Sequence, residues 1–375
     1  MSSNSSSEPS PMSIVSIPNG VSHEFPYRPR HTIAVEPDNS MTITDGLYGT
    51  MHITDPVLLD LIRDSSFQRL HGIHQHGITP VINVNKVNPS VTRFEHSVGA
   101  MLLIRTLVPY DLAQQCAALL HDVSHTVLSH VTDYVFGYVI HEVEKEDYVK
   151  TTNIPQILAK YGYDWKHITS EEPGTWTLLE QPAPLLCADR LDYGLRDMLA
   201  FHVHPPETVR DIVKQFVVYD GRIMCSDIPL AGKLARGYQK CDELAWANPH
   251  HSGLYKFAGN AIRLALAHQV IKKEELWIGT DSEFWQKILD CGIPEIEEHT
   301  RYTNNWTKFE IVSSKKNGDL VLELKLKIRT IDPEIVIQDE NEVQVRRLSE
   351  VDPTYAKERQ DYINSKKGPI FLAVS

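Results

Sequence analysis

The stretch LLHDVSHTVLSH, residues 119–130, places three histidines and one aspartate among apolar residues. The apolar residues around it recur at three- and four-residue steps, which predicts one long buried helix from Tyr110 to about Val139. An unpaired carboxylate at Asp122 would cost several kcal/mol in such a helix. A metal ion bound by the adjacent imidazole and carboxylate would remove that cost, provided that other helices supply further ligands.

Two other stretches with helical spacing carry candidate ligands for the same ion. RFEHSVG, residues 93–99, contains His96, and ADRLDYGLRD, residues 188–197, contains Asp189. A lone buried histidine is more often an ordinary core residue, so the hypothesis depends on the combination. Two imidazoles and two carboxylates suit Mn, Mg, Fe, Co or Zn. The predicted metal ligands are His96, His121, Asp122 and Asp189.

Four motifs in this order resemble the HD-domain phosphohydrolase superfamily, especially its deoxynucleoside triphosphate triphosphohydrolase branch. They are FQRLHGIHQHG, RFEHSVG, LLHDVSHTVLSH and ADRLDYGLRD, and the resemblance covers about residues 45 to 270. It implies a metal-dependent nucleotide phosphohydrolase with the four ligands above. The catalytic residues that it implies are His125, His130, Asp133, His141 and Glu142. The substrate contacts that it implies are Gln75 and Arg93 for the nucleoside, and Arg190, Tyr193 and Asp197 for the phosphate and sugar.

The chemistry that the resemblance implies is attack on phosphorus by a metal-bound water of lowered pKa. His130 or His125 then protonates the leaving oxygen, and Arg190 neutralises charge on the phosphoryl oxygens. Asp133 lies three residues after His130, so we expect its carboxylate to hold the imidazole in one tautomer and raise its pKa. The three histidines of FQRLHGIHQHG are predicted to lie on a loop surface: His71, His74 and His76.

The motifs leave the identity of the substrate open. The stretch HHSGLYKFAGN stands where this branch has an arginine-rich helix that grips the triphosphate, so a nucleoside monophosphate is an alternative substrate. A di-iron oxygenase of the same superfamily, with extra histidine ligands, is a second alternative. A nucleotide sensor without catalytic activity is a third.

Composition sets the broad class. The chain has 375 residues, 42% hydrophobic and 23% charged, which is typical of a globular enzyme. Its net charge of −12 argues against long nucleic acids as partners and leaves a small phosphorylated molecule, with a homo-oligomer possible. There is no signal peptide and no apolar run that could span a membrane, so we expect an intracellular protein, cytoplasmic or nuclear. Five scattered cysteines predict free thiols.

The predicted fold is mainly α. A Ser- and Pro-rich disordered tail is assigned to residues 1–41, the HD-domain helical core to 42–290 and a small α+β appendage to 291–375. Around Asp45-Gly46 we expect a small β-hairpin or an extended lead-in, and around Lys316-Asn317-Gly318 a second hairpin. Strands are also predicted at PEIVI and at FLAV. Helices are predicted to begin at Asp55-Pro56 and Arg93, and to lie near 154–161, 182–200, 206–217, 228–246 and 253–276.

Overall fold

The computed structural model describes residues 15–16, 31–82, 91–313, 320–338 and 342–374. Helices predominate in these ranges, as the sequence predicted. The α-helices are α1 (Pro56–Arg63), α2 (Ser65–Gln68), α3 (Ile78–Val81), α4 (Arg93–Leu107), α5 (Leu112–Leu120), α6 (Asp133–Phe136), α7 (Ile140–Val143), α8 (Lys145–Lys150), α9 (Ile154–Lys160), α10 (Trp165–Ile168), α11 (Ala188–Ala200), α12 (Pro206–Lys214), α13 (Ile228–Cys241), α14 (Pro249–Ala267), α15 (Asp281–Leu289), α16 (Pro294–Asn304), α17 (Leu348–Val351) and α18 (Pro353–Ser365).

Three small sheets accompany the helices. The strands are β1 (Val15–Ser16), β2 (Thr32–Val35), β3 (Met41–Asp45), β4 (Gly49–Ile53), β5 (Phe216–Tyr219), β6 (Arg222–Cys225), β7 (Phe309–Val312), β8 (Leu320–Leu324), β9 (Glu334–Gln338), β10 (Val343–Arg347) and β11 (Ile370–Val374). Their orders are β1-β5-β6-β9-β10, β7-β11-β8 and β2-β3-β4. Neighbouring strands are antiparallel except β6 and β9, which pair in parallel through Cys225 and Ile335.

Helix α4 lies at the centre of the fold. It begins at Arg93 as predicted, because a reciprocal capping pair satisfies its first amides. Thr92 Oγ1 accepts from the Glu95 amide at 3.2 Å, and Glu95 Oε2 accepts from the Thr92 amide at 2.9 Å. Nearly every side chain of α4 is buried, and the helix packs against both α5 and α11. A helix buried all round is a scaffold on which a site can be held rigidly.

The single long helix predicted from Tyr110 to about Val139 is wrong. Helix α5 ends at Leu120, and residues 121–132 form tight turns with a short 3₁₀ segment. Donors from distant parts of the chain hold this turn. Arg69 Nη2 donates to the His125 carbonyl at 2.5 Å, and Trp277 Nε1 donates to the Ser124 carbonyl at 2.7 Å. These two carbonyls therefore accept hydrogen bonds from side chains far away in the sequence and not from helical amides. The spacing of the apolar residues could not predict those bonds.

Two expectations about strands also need correction. Strands β7 and β8 do not form a hairpin, because β11 lies between them and pairs with both. The predicted turn at Lys316-Asn317-Gly318 is outside the described residues. The tail assigned to residues 1–41 extends too far, because β2 pairs with β3 along its whole length. The hairpin around Asp45 is confirmed as β3 and β4.

Most of the other helices lie where their spacing predicted them. The helices predicted near 154–161, 206–217 and 228–246 correspond to α9, α12 and α13, although strand β5 begins at Phe216 and a π-helical turn follows α13 at Asp242–Trp246. Helix α11 begins later than predicted, and α14 both begins and ends earlier. The strands predicted at PEIVI and FLAV are confirmed as β9 and β11. All five cysteines are free, as predicted.

No helix among the described residues is long and apolar enough to cross a membrane.

Candidate metal centre

Three helix ends bring three donor atoms to one point. His96 lies on the first turn of α4, His121 directly follows α5, and Asp189 lies on the first turn of α11. The Nε2 atoms of the two histidines are 3.0 Å apart, and Asp189 Oδ1 lies 2.9 Å from the His96 Nε2 and 3.5 Å from the His121 Nε2. Two ligands of one ion, each about 2.1 Å from it, are separated by about 3 to 4 Å, so these three atoms suit a shared cation.

The tautomers of the two histidines show that the cluster requires positive charge. His96 Nδ1 lies 2.8 Å from the Asp192 carboxylate, and His121 Nδ1 lies 2.7 Å from the Ala118 carbonyl. Both partners are acceptors, so each Nδ1 carries a hydrogen. In two neutral rings the Nε2 lone pairs would then face each other beside Asp189, so without a metal ion a second proton on His96 supplies the positive charge. Burial alone would lower the pKa of His96, but its hydrogen bonds to Asp189 and Asp192 raise the pKa to about 10. A divalent cation would satisfy all three donors together.

Asp122, the fourth predicted ligand, lies at the edge of this cluster. Its Oδ1 is 3.7 Å from His121 Nε2, and its Oδ2 is 3.8 Å from His96 Nε2. Its Oδ2 also accepts from Arg93 Nη1 at 2.6 Å. Arg93 is buried, with its Nε donating to Ser129 Oγ at 3.0 Å. The Arg93 guanidinium therefore orients Asp122 and the turn. Its contact with the nucleoside stays a prediction.

A buried network behind the cluster holds His96 in place. Asp192 accepts from His96 Nδ1, from Tyr48 Oη at 2.9 Å and from Arg196 Nε at 2.8 Å. Arg196 also donates to Asp45 at 3.0 Å, and all of these side chains are buried. The sequence motifs did not predict this network, although Asp192 follows Asp189 by three residues and precedes Arg196 by four, which places all three near one face of α11.

Gly99 lets α4 approach this network. A Cβ added there would lie 2.0 Å from Arg196 Nη2 and 2.1 Å from Asp192 Oδ1. The glycine that ends the motif RFEHSVG is therefore required by the close contact between α4 and α11.

A second group of side chains lies beside the metal ligands. His130 Nδ1 donates to the Asp133 carboxylate at 3.0 Å, and 42% of the His130 side chain is exposed. His125 is fully buried, stacks on His141 with ring centroids 3.5 Å apart, and has its Nε2 3.4 Å from Asp122 Oδ1. Glu142 is exposed at the rim. One predicted pair, His130 with Asp133, therefore has an accessible imidazole held by a carboxylate.

The predicted rise in the pKa of His130 is wrong. The surrounding protein displaces water from the ring and lowers its pKa, and this outweighs the opposing effect of Asp133. Burial and neighbouring positive charge also hold the pKa values of His125 and His141 well below the usual value. All three imidazoles are therefore neutral at pH 7 in the free protein.

Two further side chains that were predicted to bind the substrate form hydrogen bonds within the protein. The Arg190 guanidinium donates to the carbonyls of Leu185 and Gln181, at 2.7 and 3.1 Å, so it fixes the loop before α11. Asp197 is buried, and its two oxygens bond to the rings of His76 at 2.9 Å and Trp246 at 2.7 Å. The substrate contacts of both side chains stay predictions.

The other two predicted contacts have different surroundings. The ring of Tyr193 packs edge-on at 6.3 Å from His96, and its hydroxyl bonds to Tyr238. The side-chain oxygen of Gln75 is buried with no hydrogen-bond partner among the described residues. Tyr193 therefore lines the metal centre, and Gln75 keeps a free acceptor.

The prediction that three histidines lie on a loop surface is also wrong for two of them. His74 is partly buried and bonds through Nδ1 to the buried Asp281 at 3.0 Å, and His76 bonds to Asp197. His71 is exposed but stacks on Phe94 with ring centroids 3.6 Å apart. The carboxylates that pair with His74 and His76 come from distant segments, which local composition cannot indicate.

No family model matches the sequence. Over 339 residues the chain is 37% identical to "Metal-dependent phosphohydrolase cns2" of Cordyceps militaris, an alignment that covers 88% of this chain and 94% of that protein. This chain belongs to the metal-dependent phosphohydrolases. It is also 38% identical over 318 residues to the uncharacterized protein YdhJ of Bacillus subtilis, covering 80% of this chain and 90% of that one.

Solved structures share the fold of this metal-dependent phosphohydrolase. A phosphohydrolase from Bacteroides thetaiotaomicron matches with a TM-score of 0.64 and 16% identity, and the match covers 92% of this chain and 100% of that one. A hypothetical protein from Aquifex aeolicus matches with a TM-score of 0.67 and 16% identity, covering 89% and 96%. The family membership and the His/Asp cluster together indicate a hydrolase that uses a divalent metal.

Proposed function

We propose that this metal-dependent phosphohydrolase is a member of the HD superfamily that hydrolyses the phosphate ester of a nucleotide. One observation carries the proposal: lone pairs from three helix ends converge on one point beside an accessible imidazole paired with a carboxylate. His96, His121 and Asp189 would hold the metal, with Asp122 completing the set. When bound, a divalent cation supplies a Lewis acid for phosphoryl oxygens and lowers the pKa of water.

His130 is the proposed general acid. Asp133 fixes the hydrogen on Nδ1, so Nε2 is the atom that exchanges a proton with the substrate. The pKa of His130 is low in the free protein, but a phosphate dianion placed beside the ring favours the charged imidazolium and raises that pKa. The imidazole therefore becomes an acid when substrate binds and can protonate the leaving oxygen.

His125 is better placed to orient a ligand than to touch a substrate. Its ring is enclosed between Asp122 and His141, with Nε2 toward the Asp122 carboxylate. A neutral ring with its hydrogen on Nε2 donates to Asp122 and fixes the direction of that carboxylate.

A nucleotide is the proposed substrate because the surroundings offer both aromatic and hydrogen-bonding groups. The rings of Tyr193, Tyr238 and Trp246 contact one another with centroids 4.7 to 5.9 Å apart. The unpartnered Gln75 oxygen is a candidate acceptor for a base amine. Since HHSGLYKFAGN carries a single lysine and no arginine, we propose a nucleoside monophosphate over a triphosphate.

One observation favours an alternative. His130, Asp133 and His141 can also place one ligand atom each within 4.8 Å of one another, which would suit a second metal and the di-iron oxygenase hypothesis. Metal analysis of the purified protein distinguishes the two functions. We expect one metal per chain, whereas two irons with an absorbance of oxidised iron would support the oxygenase.

The proposed activity is tested with metal-stripped protein reloaded separately with Mn, Mg, Co, Fe or Zn. Each form is given nucleoside mono-, di- and triphosphates, and released orthophosphate and tripolyphosphate are quantified. We expect orthophosphate from a monophosphate. Tripolyphosphate would assign the triphosphohydrolase alternative instead, and no turnover of any nucleotide with any metal would contradict hydrolysis.

The chain offers a matched control for His130. His268 is equally exposed, at 41%, and is likewise paired with a carboxylate, Glu295, at 3.0 Å. We expect His130→Ala to lower kcat by about 100- to 10,000-fold with unchanged metal content. His268→Ala should leave kcat as it is. Equal activity of the two variants would contradict the general-acid role.

A further inference from the structure

Residues 276–281, just before and at the start of α15, hold the turn that follows α5. They lie beyond the last of the four sequence motifs. Trp277 Nε1 donates to the Ser124 carbonyl at 2.7 Å, and the Leu276 carbonyl accepts from the Val127 amide at 2.8 Å. These bonds fix the first part of the turn from outside, because its own backbone groups have left the helical pattern.

Asp281 makes a third bond to this turn and two more to another segment. Its Oδ1 accepts from the Leu128 amide at 2.7 Å, and its Oδ2 accepts from both the amide and Nδ1 of His74, at 2.7 and 3.0 Å. The carboxylate is fully buried. A buried charge is stable only when donors surround it, and all three donors come from segments far away in the sequence. Asp281 therefore joins two parts of the site.

The helix that carries Asp281 does not need this carboxylate for its own capping. Thr280 Oγ1 accepts from the Glu283 amide at 3.2 Å, and Glu283 Oε2 accepts from the Thr280 amide at 3.0 Å. This reciprocal pair satisfies the first amides of α15. The Asp281 side chain is therefore available to bond to Leu128 and His74.

The turn at Leu128 depends on such support. Leu128 and Ser129 have φ values of 58° and 49°, in the left-handed region that side chains other than glycine rarely adopt. Consecutive residues persist there only when surrounding bonds hold them. The Leu128 amide bonds to Asp281, and Ser129 Oγ donates to the His74 carbonyl at 2.7 Å. His130 follows directly, so the position of its ring depends on these bonds.

His74 belongs to the loop that carries Gln75, the proposed acceptor for a base amine. Gly77 lies in the same loop with a φ of 55°, and a Cβ added there would lie 2.8 Å from the Leu128 carbonyl. The loop and the turn are therefore packed closely together, and Asp281 bonds to both. Its carboxylate thus fixes the general acid relative to a group that is proposed to bind the substrate.

We propose that Asp281 is a positioning residue, which holds the turn of His130 against the loop of Gln75 so that the imidazole faces the leaving oxygen. This inference rests on the proposed function and deepens it, because it explains how the general acid is oriented. Asparagine at this position has one oxygen and one NH₂ group. It can accept from Leu128 or from His74 but not from both, so one of the two segments is released.

The test compares Asp281→Asn with the matched control Asp332→Asn. Asp332 is also buried, and it also accepts from the amide and the side chain of one residue, Ser349, at 2.9 and 2.7 Å. We expect both substitutions to lower Tm. A displacement of about 1 Å at a reacting group can lower a rate about 100-fold, so we expect a loss of this size in kcat for Asp281→Asn alone, with unchanged metal content.

A substrate with a good leaving group distinguishes a misplaced acid from a loss of folded protein. p-Nitrophenyl phosphate releases a nitrophenolate that needs no proton, so a misplaced general acid slows its hydrolysis far less. We expect both Asp281→Asn and His130→Ala to retain more activity on this ester than on the nucleotide. Equal losses on the two substrates in Asp281→Asn would contradict the positioning role.

Hydrogen exchange provides a measurement that does not depend on turnover. Peptides that contain residues 74–77 and 127–131 should exchange faster in Asp281→Asn than in the wild type, because bonds that restrain these segments are lost. The same peptides should exchange at the wild-type rate in Asp332→Asn. Unchanged exchange of both segments in Asp281→Asn would show that the carboxylate does not hold them.

The two proposals can fail separately. If the wild type hydrolyses a nucleotide and Asp281→Asn has the same kcat, the role of Asp281 is refuted and the proposed function stands. If hydrogen exchange shows that Asp281 holds both segments but the wild type hydrolyses no phosphate ester with any metal, the proposed function is refuted instead.

Discussion

The substitution Asp192→Asn tests whether the buried network behind His96 controls metal affinity. Asp192 receives three hydrogen bonds, from His96 Nδ1 at 2.8 Å, Arg196 Nε at 2.8 Å and Tyr48 Oη at 2.9 Å. All three partners donate, so asparagine can keep the bonds to His96 and Arg196 through its oxygen. Its amide group then faces Tyr48, whose hydroxyl can turn and accept. The substitution thus removes one charge while preserving the shape.

Removing this charge affects both the metal affinity and the free energy of unfolding. A carboxylate behind a metal-binding histidine increases its basicity and fixes its ring, and loss of such a partner lowers metal affinity about 10- to 100-fold. The negative charge of Asp192 also balances the positive charge of the buried Arg196, which donates to Asp45 at 3.0 Å. Removing one partner from a buried ion pair costs about 3 kcal/mol in the free energy of unfolding.

Competition with a chelator measures the metal Kd, and urea denaturation of the metal-free protein measures stability. Tyr48→Phe removes one hydrogen bond and no charge, so we expect a smaller loss of affinity. Asp211→Asn is the control, because Asp211 pairs with Lys214 at an exposed position. If Asp192→Asn folds and binds metal as tightly as Asp211→Asn, the network does not tune the site.

Three further predictions concern stability. Gly99→Ala should lower the free energy of unfolding by about 1 to 3 kcal/mol, seen as a lower urea midpoint, because the new methyl group overlaps Asp192 and Arg196. Burial raises the pKa of Asp242 from 3.8 to about 6, so the folded chain retains a proton that the unfolded chain loses between these values. Stability should therefore fall by about 3 kcal/mol as pH rises through that window, and Asp242→Asn should abolish the fall in urea titrations at pH 4 and pH 7. Free metal at about 100 times its Kd adds about 2.7 kcal/mol to the free energy of unfolding, so a chelator should lower Tm in the wild type and leave His96→Ala unchanged.

Local sequence signals were sufficient for the frame of the site. The capping pair Thr92 and Glu95 determines where α4 begins, and a helix start depends on residues only three positions apart. The motif residues His96, His121 and Asp189 were named as ligands from the sequence, and the structure brings their side chains together. The chemistry of a metal site limits the residue types so strongly that spacing and order carry much of the information.

The tertiary structure decided what each neighbouring charge does. Arg93 and Asp197 have the right residue types for binding a substrate, but side chains far away in the sequence bond to them. Arg190 bonds instead to carbonyls of the loop just before it. The turn after Leu120 is likewise set by Arg69 and Trp277, whose donors replace helical hydrogen bonds. Strand β11 lies between β7 and β8, so pairing with a strand far away in the sequence replaces the local hairpin. Residue types determine which chemistry this chain can perform, and long-range hydrogen bonds determine which side chains remain free to perform it.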